Sequence, residues 1–90
     1  MLERQIERKL VEEVKKRNGL CLKQNGMMGI PDRLVLLPGG HCGFVELKAP
    51  GKKPRALQLA RIRMLKRMGF KVYVIDGMEQ IDDVIGGIEA

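Results

Sequence analysis

The sequence predicts an α/β fold: a mixed α+β sheet flanked by helices, with elements in the order α-β-β-β-α-β-α. Three observations carry this. Apolar residues recur at helical spacing in two stretches, Leu2 to Val14 and Leu57 to Met68. Two short apolar runs flank Pro38-Gly39-Gly40, the signature of an antiparallel hairpin. The strand–helix–strand piece from Gly43 to Ile75 predicts a right-handed crossover joining parallel strands.

Each element has a local reason. Leu2, Ile6, Leu10 and Val14 make one apolar stripe, and Gly19 is expected to end that helix after Lys15-Lys16-Arg17. Leu20–Gln24 reads as a short strand and Asn25–Gly29, with two glycines, as a loop. Arg33–Leu37 and Cys42–Lys48 are the hairpin strands, and Ala49–Pro54 is a basic loop. Arg55–Met68 is the second helix, stopped by Gly69, with Met64 and Met68 expected in core or interface packing. Phe70–Ile75 is a strand and Ile81–Ile88 a terminal helix. No repeat, low-complexity run or linker divides the chain, so a single domain over residues 1–90 is expected.

Composition narrows the function. A chain of 90 residues buries about 60–65% of its unfolded surface, so its stability is marginal and self-association would help it. Cys21 and Cys42 form neither a zinc pattern nor a disulfide framework and read as reduced, partly buried thiols of a cytoplasmic protein. No apolar run reaches the roughly 20 residues of a membrane span, and Met1 leads straight into charged residues rather than a signal peptide. Nothing calls for an organic cofactor. A net charge of +6 favours a polyanionic partner, nucleic acid first. Phe44, Phe70 and Tyr73 are the only aromatics, which disfavours a single-strand binder built on stacking platforms; contacts to the DNA backbone should dominate instead.

The chemistry lies in Gly29–Pro54. Alternation along the second hairpin strand puts Phe44, Glu46 and Lys48 on one face and Val45 and Leu47 on the other. If Pro38, Gly39 and Gly40 form a three-residue loop, built as a type I turn followed by a left-handed residue, Leu37 pairs with His41. Counting back in register then sets Asp32 opposite Glu46. A loop of two or four residues would turn Asp32 to the wrong face unless a bulge restored it. Two carboxylates that close repel, and a divalent cation between them is the usual relief. Lys48 would face the same ion, able to orient a water or offset phosphate charge. His41 reads as a solvated turn residue.

Taken together, "GIPD", "FVELK", a glutamine in the next helix and "MGFKVYVID" resemble the PD-(D/E)xK nuclease superfamily, and most closely the virus-type replication-repair nuclease (VRR-NUC) domain, over Glu3 to about Asp83. The resemblance implies a restriction-endonuclease-like core. It implies magnesium or manganese held by Asp32, Glu46 and the backbone carbonyl of Leu47, with Lys48 as the catalytic lysine and Gln58 as the helix-borne glutamine. Glu3 is the candidate for the family's first-helix glutamate, with Glu7 as its rival. Small stand-alone members imply a phage-encoded homodimer acting on branched DNA such as four-way junctions, in the cytoplasm of a bacterial host. Lys52, Lys53 and Arg55, between Glu46 and Gln58, are expected to grip flanking phosphates. The alternative is a non-catalytic nucleic-acid-binding module on the same fold.

Overall fold

The computed structural model describes all residues, 1–90. The elements are α1 (Glu3–Lys16), β1 (Leu20–Lys23), β2 (Arg33–Leu37), β3 (His41–Leu47), α2 (Ala56–Arg67), β4 (Val72–Ile75), a 3-10 turn (Met78–Gln80) and α3 (Ile81–Glu89). The expected order holds, and the 3-10 turn is an addition. It is closed by the Asp76 N–H donating to Gln80 Oε1 at 2.8 Å and Gln80 Nε2 donating to Asp76 Oδ1 at 2.9 Å. Apolar periodicity carries no trace of such a polar clasp.

The strands form one sheet in the order β1-β2-β3-β4. β2 runs antiparallel to β1 and β3, while β3 and β4 are parallel. Because side chains alternate, the sheet has two different faces. On one, Val35, Leu37, Val45, Leu47 and Ile75 pack against α1 (Ile6, Leu10, Val14) and α3 (Ile81, Val84, Ile85, Ile88) in the main core. On the other, α2 contributes Ile62 and Leu65, which pack with Val72, Phe44 and Ile30 in a small cluster. That cluster covers β3 and β4. Leu34 and Leu36, which pair with Leu22 and Leu20 on the same face, stay half-buried outside both clusters.

Local chemistry modifies several expectations. Leu2 lies on the stripe but precedes the helix and is exposed; its N–H donates to Gln5 Oε1 at 2.7 Å. α1 is ended by Asn18, at φ 61°, through a Schellman pair: Gly19 N–H to Val14 O and Asn18 N–H to Lys15 O, both 3.0 Å. Gly19 serves a different need, since a Cβ there would lie 2.6 Å from Leu36 O. α2 ends as expected at Gly69, φ 96°, with the same Schellman pattern from Phe70 and Gly69 to Leu65 and Lys66. Of the two methionines expected in core or interface packing, Met68 is exposed, outside the core, and Met64 is half-buried. The hairpin has the three-residue loop, pairing Leu37 with His41. Its turn differs from the expected one: Gly39 and Gly40 both have positive φ, 90° and 80°, so Pro38-Gly39 follows the type II pattern that needs glycine second.

α1 and α3 are also joined by charge. Glu13 accepts from Lys16 at 2.9 Å, Lys9 at 3.3 Å and Arg17 at 3.2 Å, and Arg17 reaches on to Asp82 of α3 at 3.3 Å. Lys16 and Lys9 foremost, with Arg17, hold the Glu13 carboxyl down at about 2. A carboxyl depressed in the folded state stabilises it above its unfolded value, about 4.5, and loses that contribution as pH falls toward about 2. Glu13→Gln should therefore lower the melting temperature at neutral pH, and the gap to the unaltered protein should close across that acid window in a series of thermal melts.

Candidate functional site

The site forms where the β2–β3 ladder stops. Pro31 is buried and has no N–H, so it cannot carry the ladder past the Arg33–Val45 pair. The N–H groups of Phe44 and Lys48 point to the β4 side, donating to Lys71 O at 2.8 Å and Ile75 O at 2.9 Å. That of Leu47 must therefore point toward β2. It donates to Asp32 Oδ2 at 3.0 Å, and the Asp32 N–H donates to Glu46 Oε1 at 3.2 Å. Each carboxylate thus satisfies a backbone donor at the frayed end of the ladder. The register carried one step past Arg33–Val45 places Asp32 across from Glu46, on the face that α2 partly covers.

Glu46 is the only buried charged side chain, 1% exposed. Burial pushes its carboxyl up from the ordinary glutamate value, and the neighbouring charge of Asp32 pushes it further, against the pull of Lys48. Three donors meet it: the Asp32 N–H, Gln58 Nε2 at 2.7 Å and Lys48 Nζ at 3.3 Å. The Gln58 amide is oriented unambiguously. Its Oε1 accepts the Arg55 N–H at 2.8 Å, so its NH₂ must face Glu46. Gln58 sits in the first turn of α2 and so ties the start of that helix to the buried carboxylate.

Asp32, Glu46, Lys48 and Gln58 are therefore brought together. Glu3 and Glu7 do not join them. Glu3 is exposed in the first turn of α1, and Glu7 is bound by Arg33 Nε at 2.9 Å on the opposite face of the sheet. No group of three acidic, histidine or cysteine side chains converges anywhere in the chain. Lys52, Lys53 and Arg55 are exposed in the loop before α2 and make no ion pair. His41 is half-buried at the hairpin end, away from the carboxylates. Both cysteines are free and half-buried, and burial pushes the Cys21 thiol up.

Two arginines make tertiary bonds that the sequence expectations do not include. Arg33, next to Asp32, holds Glu7 and also donates through Nη1 to Cys21 O at 3.0 Å, locking β1 and α1 to the start of β2. A signal existed: alternation puts Arg33 on the same face as Val35, where a charge needs a partner. Arg61 donates from Nε to Met28 O at 3.2 Å, tying the loop before Asp32 to α2. Nothing in its spacing foretells that.

No protein-family model matches the chain. It is 46% identical over 76 residues to "Putative nuclease p44" of Acyrthosiphon pisum secondary endosymbiont phage 1, covering 82% of each chain. It is also similar to a solved structure titled "VRR_NUC domain", at 32% identity and a TM-score of 0.83, over 93% of this chain and 94% of that one. The mixed sheet with its flanking helices is that of a nuclease. Within that class the chain belongs to the VRR-NUC family of the PD-(D/E)xK superfamily. No helix is long and apolar enough to cross a membrane.

Gln58 should matter more when Glu46 is charged. Glu46 has a raised folded-state pKa, so its contribution to stability is greatest below the unfolded value and falls as pH rises through the folded one. Gln58→Ala removes a charge-assisted hydrogen bond of about 1.5–3 kcal/mol at high pH but only a neutral one of about 1 kcal/mol at low pH. Urea unfolding over a pH series should show the loss growing as pH rises.

Proposed function

We propose that the protein is a metal-dependent endonuclease that hydrolyses phosphodiester bonds of branched DNA, residues 1–90 acting as one nuclease domain. The observation that carries this is Glu46: a nearly fully buried carboxylate facing Asp32, with Lys48 and Gln58 on its far oxygen. A carboxylate placed there against its own desolvation marks a functional site more readily than a structural one.

The residues fit a hard divalent cation. The donor set is oxygen only: the Asp32 and Glu46 carboxylates and the Leu47 carbonyl. Two close carboxylates, one of them buried with its pKa pushed up, share a single ammonium, that of Lys48, and a divalent cation would offset the rest of their charge. So short a protein donor set suits magnesium or manganese, which keep several waters. Bound there, the ion would polarise the scissile phosphate and activate water for attack. Lys48 would leave Glu46 Oε2 to orient that water or to stabilise charge growing on the phosphate. Gln58 would act as a positioning residue, holding the Glu46 carboxylate. Lys52, Lys53 and Arg55 would hold flanking phosphates, and such contacts carry no sequence code, so selection would rest on DNA shape.

Two copies would set two such sites on the two strands of a junction. Support for a homodimer comes from the uncovered half of the sheet. Leu20 and Leu22 are 60% and 40% exposed there and lie beside Leu34, Leu36 and Cys42 in one apolar strip, a flat surface of the kind a two-fold contact matches with itself. The phage relative is consistent with action in the cytoplasm of a bacterial host.

Magnesium or manganese should support cutting of end-labelled four-way junctions in preference to linear duplex, and EDTA should stop it. Glu46→Gln should abolish cutting, and Lys48→Ala should slow it by about 10²–10³-fold. The same cations should raise the melting temperature of the unaltered protein but not of Glu46→Gln. Binding without cutting in any metal would favour the non-catalytic module. In sedimentation, the protein should run as a dimer and Leu22→Asp as a monomer; a monomer throughout would sink the dimer.

A further inference from the structure

Met28 is the most exposed large apolar side chain of the protein, at 80%. Its backbone is nonetheless firmly held. Arg61 Nε donates to its carbonyl at 3.2 Å, and the Ile30 N–H donates to Met27 O at 3.2 Å. Gly29 has φ +80°, and a Cβ on it would lie 2.7 Å from Leu57 Cγ, so the loop backbone rests directly on α2. Ile30 packs on the Ile62, Leu65 and Val72 cluster, and Pro31 is buried. A bulky apolar side chain is thus presented to water by backbone that is itself tied to α2.

Its surroundings say what it could meet. Met28, Gly29, Arg55, Leu57 and Gln58 line one groove, in which Leu57 is 40% exposed. Gln58, which holds Glu46, also lines the groove, so the groove adjoins the acidic pair through that one side chain. Arg55 stands in its wall, and Lys52 and Lys53 precede it, exposed and without ion pairs. Cations of that kind suit phosphates. Met28 and Leu57 do not; the broadest apolar surface a nucleic acid can offer them is the face of an unstacked base, the thymine methyl and the sugar offering less.

We propose that Met28, backed by Leu57, is a wedge that packs against an unstacked base beside the scissile phosphate. This rests on the nuclease reading and deepens it by naming what selects the substrate. Apolar side chains, methionine among them, enter base steps only where the step is opened, at an energetic cost in intact duplex. At a branch point the bases are already partly unstacked, so the same contact forms without that cost. Selection for branched DNA would then come from one side chain, with no base read by hydrogen bonding.

The test uses a junction carrying 2-aminopurine next to the branch, and a second with the probe inside an arm. EDTA prevents turnover, and anisotropy of a labelled arm reports binding. The unaltered protein should raise the fluorescence of the branch probe and not of the arm probe. Met28→Ala should lose most of that rise and lower kcat/KM on the junction by about tenfold, the scale of one lost base contact. Met28→Leu should keep both. Met68→Ala, an exposed methionine at the other end of α2, should change neither. Binding and cutting by the unaltered protein without a fluorescence rise would overturn the wedge alone, as would a full rise with Met28→Ala. A Met28→Ala protein that loses self-association would also overturn it, by placing Met28 between copies. Absence of both binding and cutting in the unaltered protein would overturn the nuclease reading, and the wedge with it.

Discussion

The burial of Glu46 beside Asp32 is the constraint around which the molecule is arranged. Taking a carboxylate out of water is strongly unfavourable unless donors replace the lost hydration. Here three different pieces of chain supply them: the Asp32 backbone from the start of β2, Lys48 from the end of β3 and Gln58 from the first turn of α2. Those elements are fixed relative to one another by the same bonds. The loop between β3 and α2 spans the gap between Lys48 and Gln58, and Arg55 at its end lines the groove beside Gln58.

The sheet divides its labour between its faces. The face under α1 and α3 holds the main core, twelve buried apolar residues, and provides the bulk of the hydrophobic stabilisation. That frees the opposite face from being fully covered. α2 buries only Ile62 and Leu65 there, which leaves room for a polar site at one end and an apolar strip over β1 and β2. Arg33 links the two faces in sequence. It turns into the α1 side to bind Glu7 while Asp32, one residue earlier, turns out to the site. Any slip of β2 by one residue would therefore break the ion pair and the acidic pair together.

Much of this was legible because it depends on parity. A three-residue loop fixes which residues face each other, so once Pro38-Gly39-Gly40 is such a loop the pairing of Leu37 with His41, and with it the placing of Asp32 near Glu46, follows; the loop length itself is a condition that the structure meets. The turn type was not legible, since type I and type II loops of equal length give the same pairing. The helix stripe found Ile6, Leu10 and Val14 but also took in Leu2, because periodicity does not show where a helix begins. The helix stops at Asn18 rather than at the expected Gly19, because asparagine also tolerates the left-handed region; the glycine answers to crowding against Leu36, a contact between distant segments. The Asp76–Gln80 clasp and the Arg61–Met28 bond are likewise polar contacts that no spacing rule anticipates.

The position of the site follows from how the sheet ends. Parallel strands open their C-terminal ends to ligands, and β3 and β4 both terminate on the side where Lys48 and the α2 N-terminus lie. The antiparallel partner β2 begins at that same end, because it runs the other way, and so delivers Asp32 to it. A hairpin feeding a parallel crossover thus brings the start of one strand, the end of the next and the first turn of a helix to a single point. Pro31 then stops the ladder there and leaves backbone donors for side-chain carboxylates to take. The charge cluster is consequently held in place by the fold itself, through bonds from three different segments. Its cost is a raised Glu46 pKa and a frayed sheet end, borne by a core on the far side of the sheet.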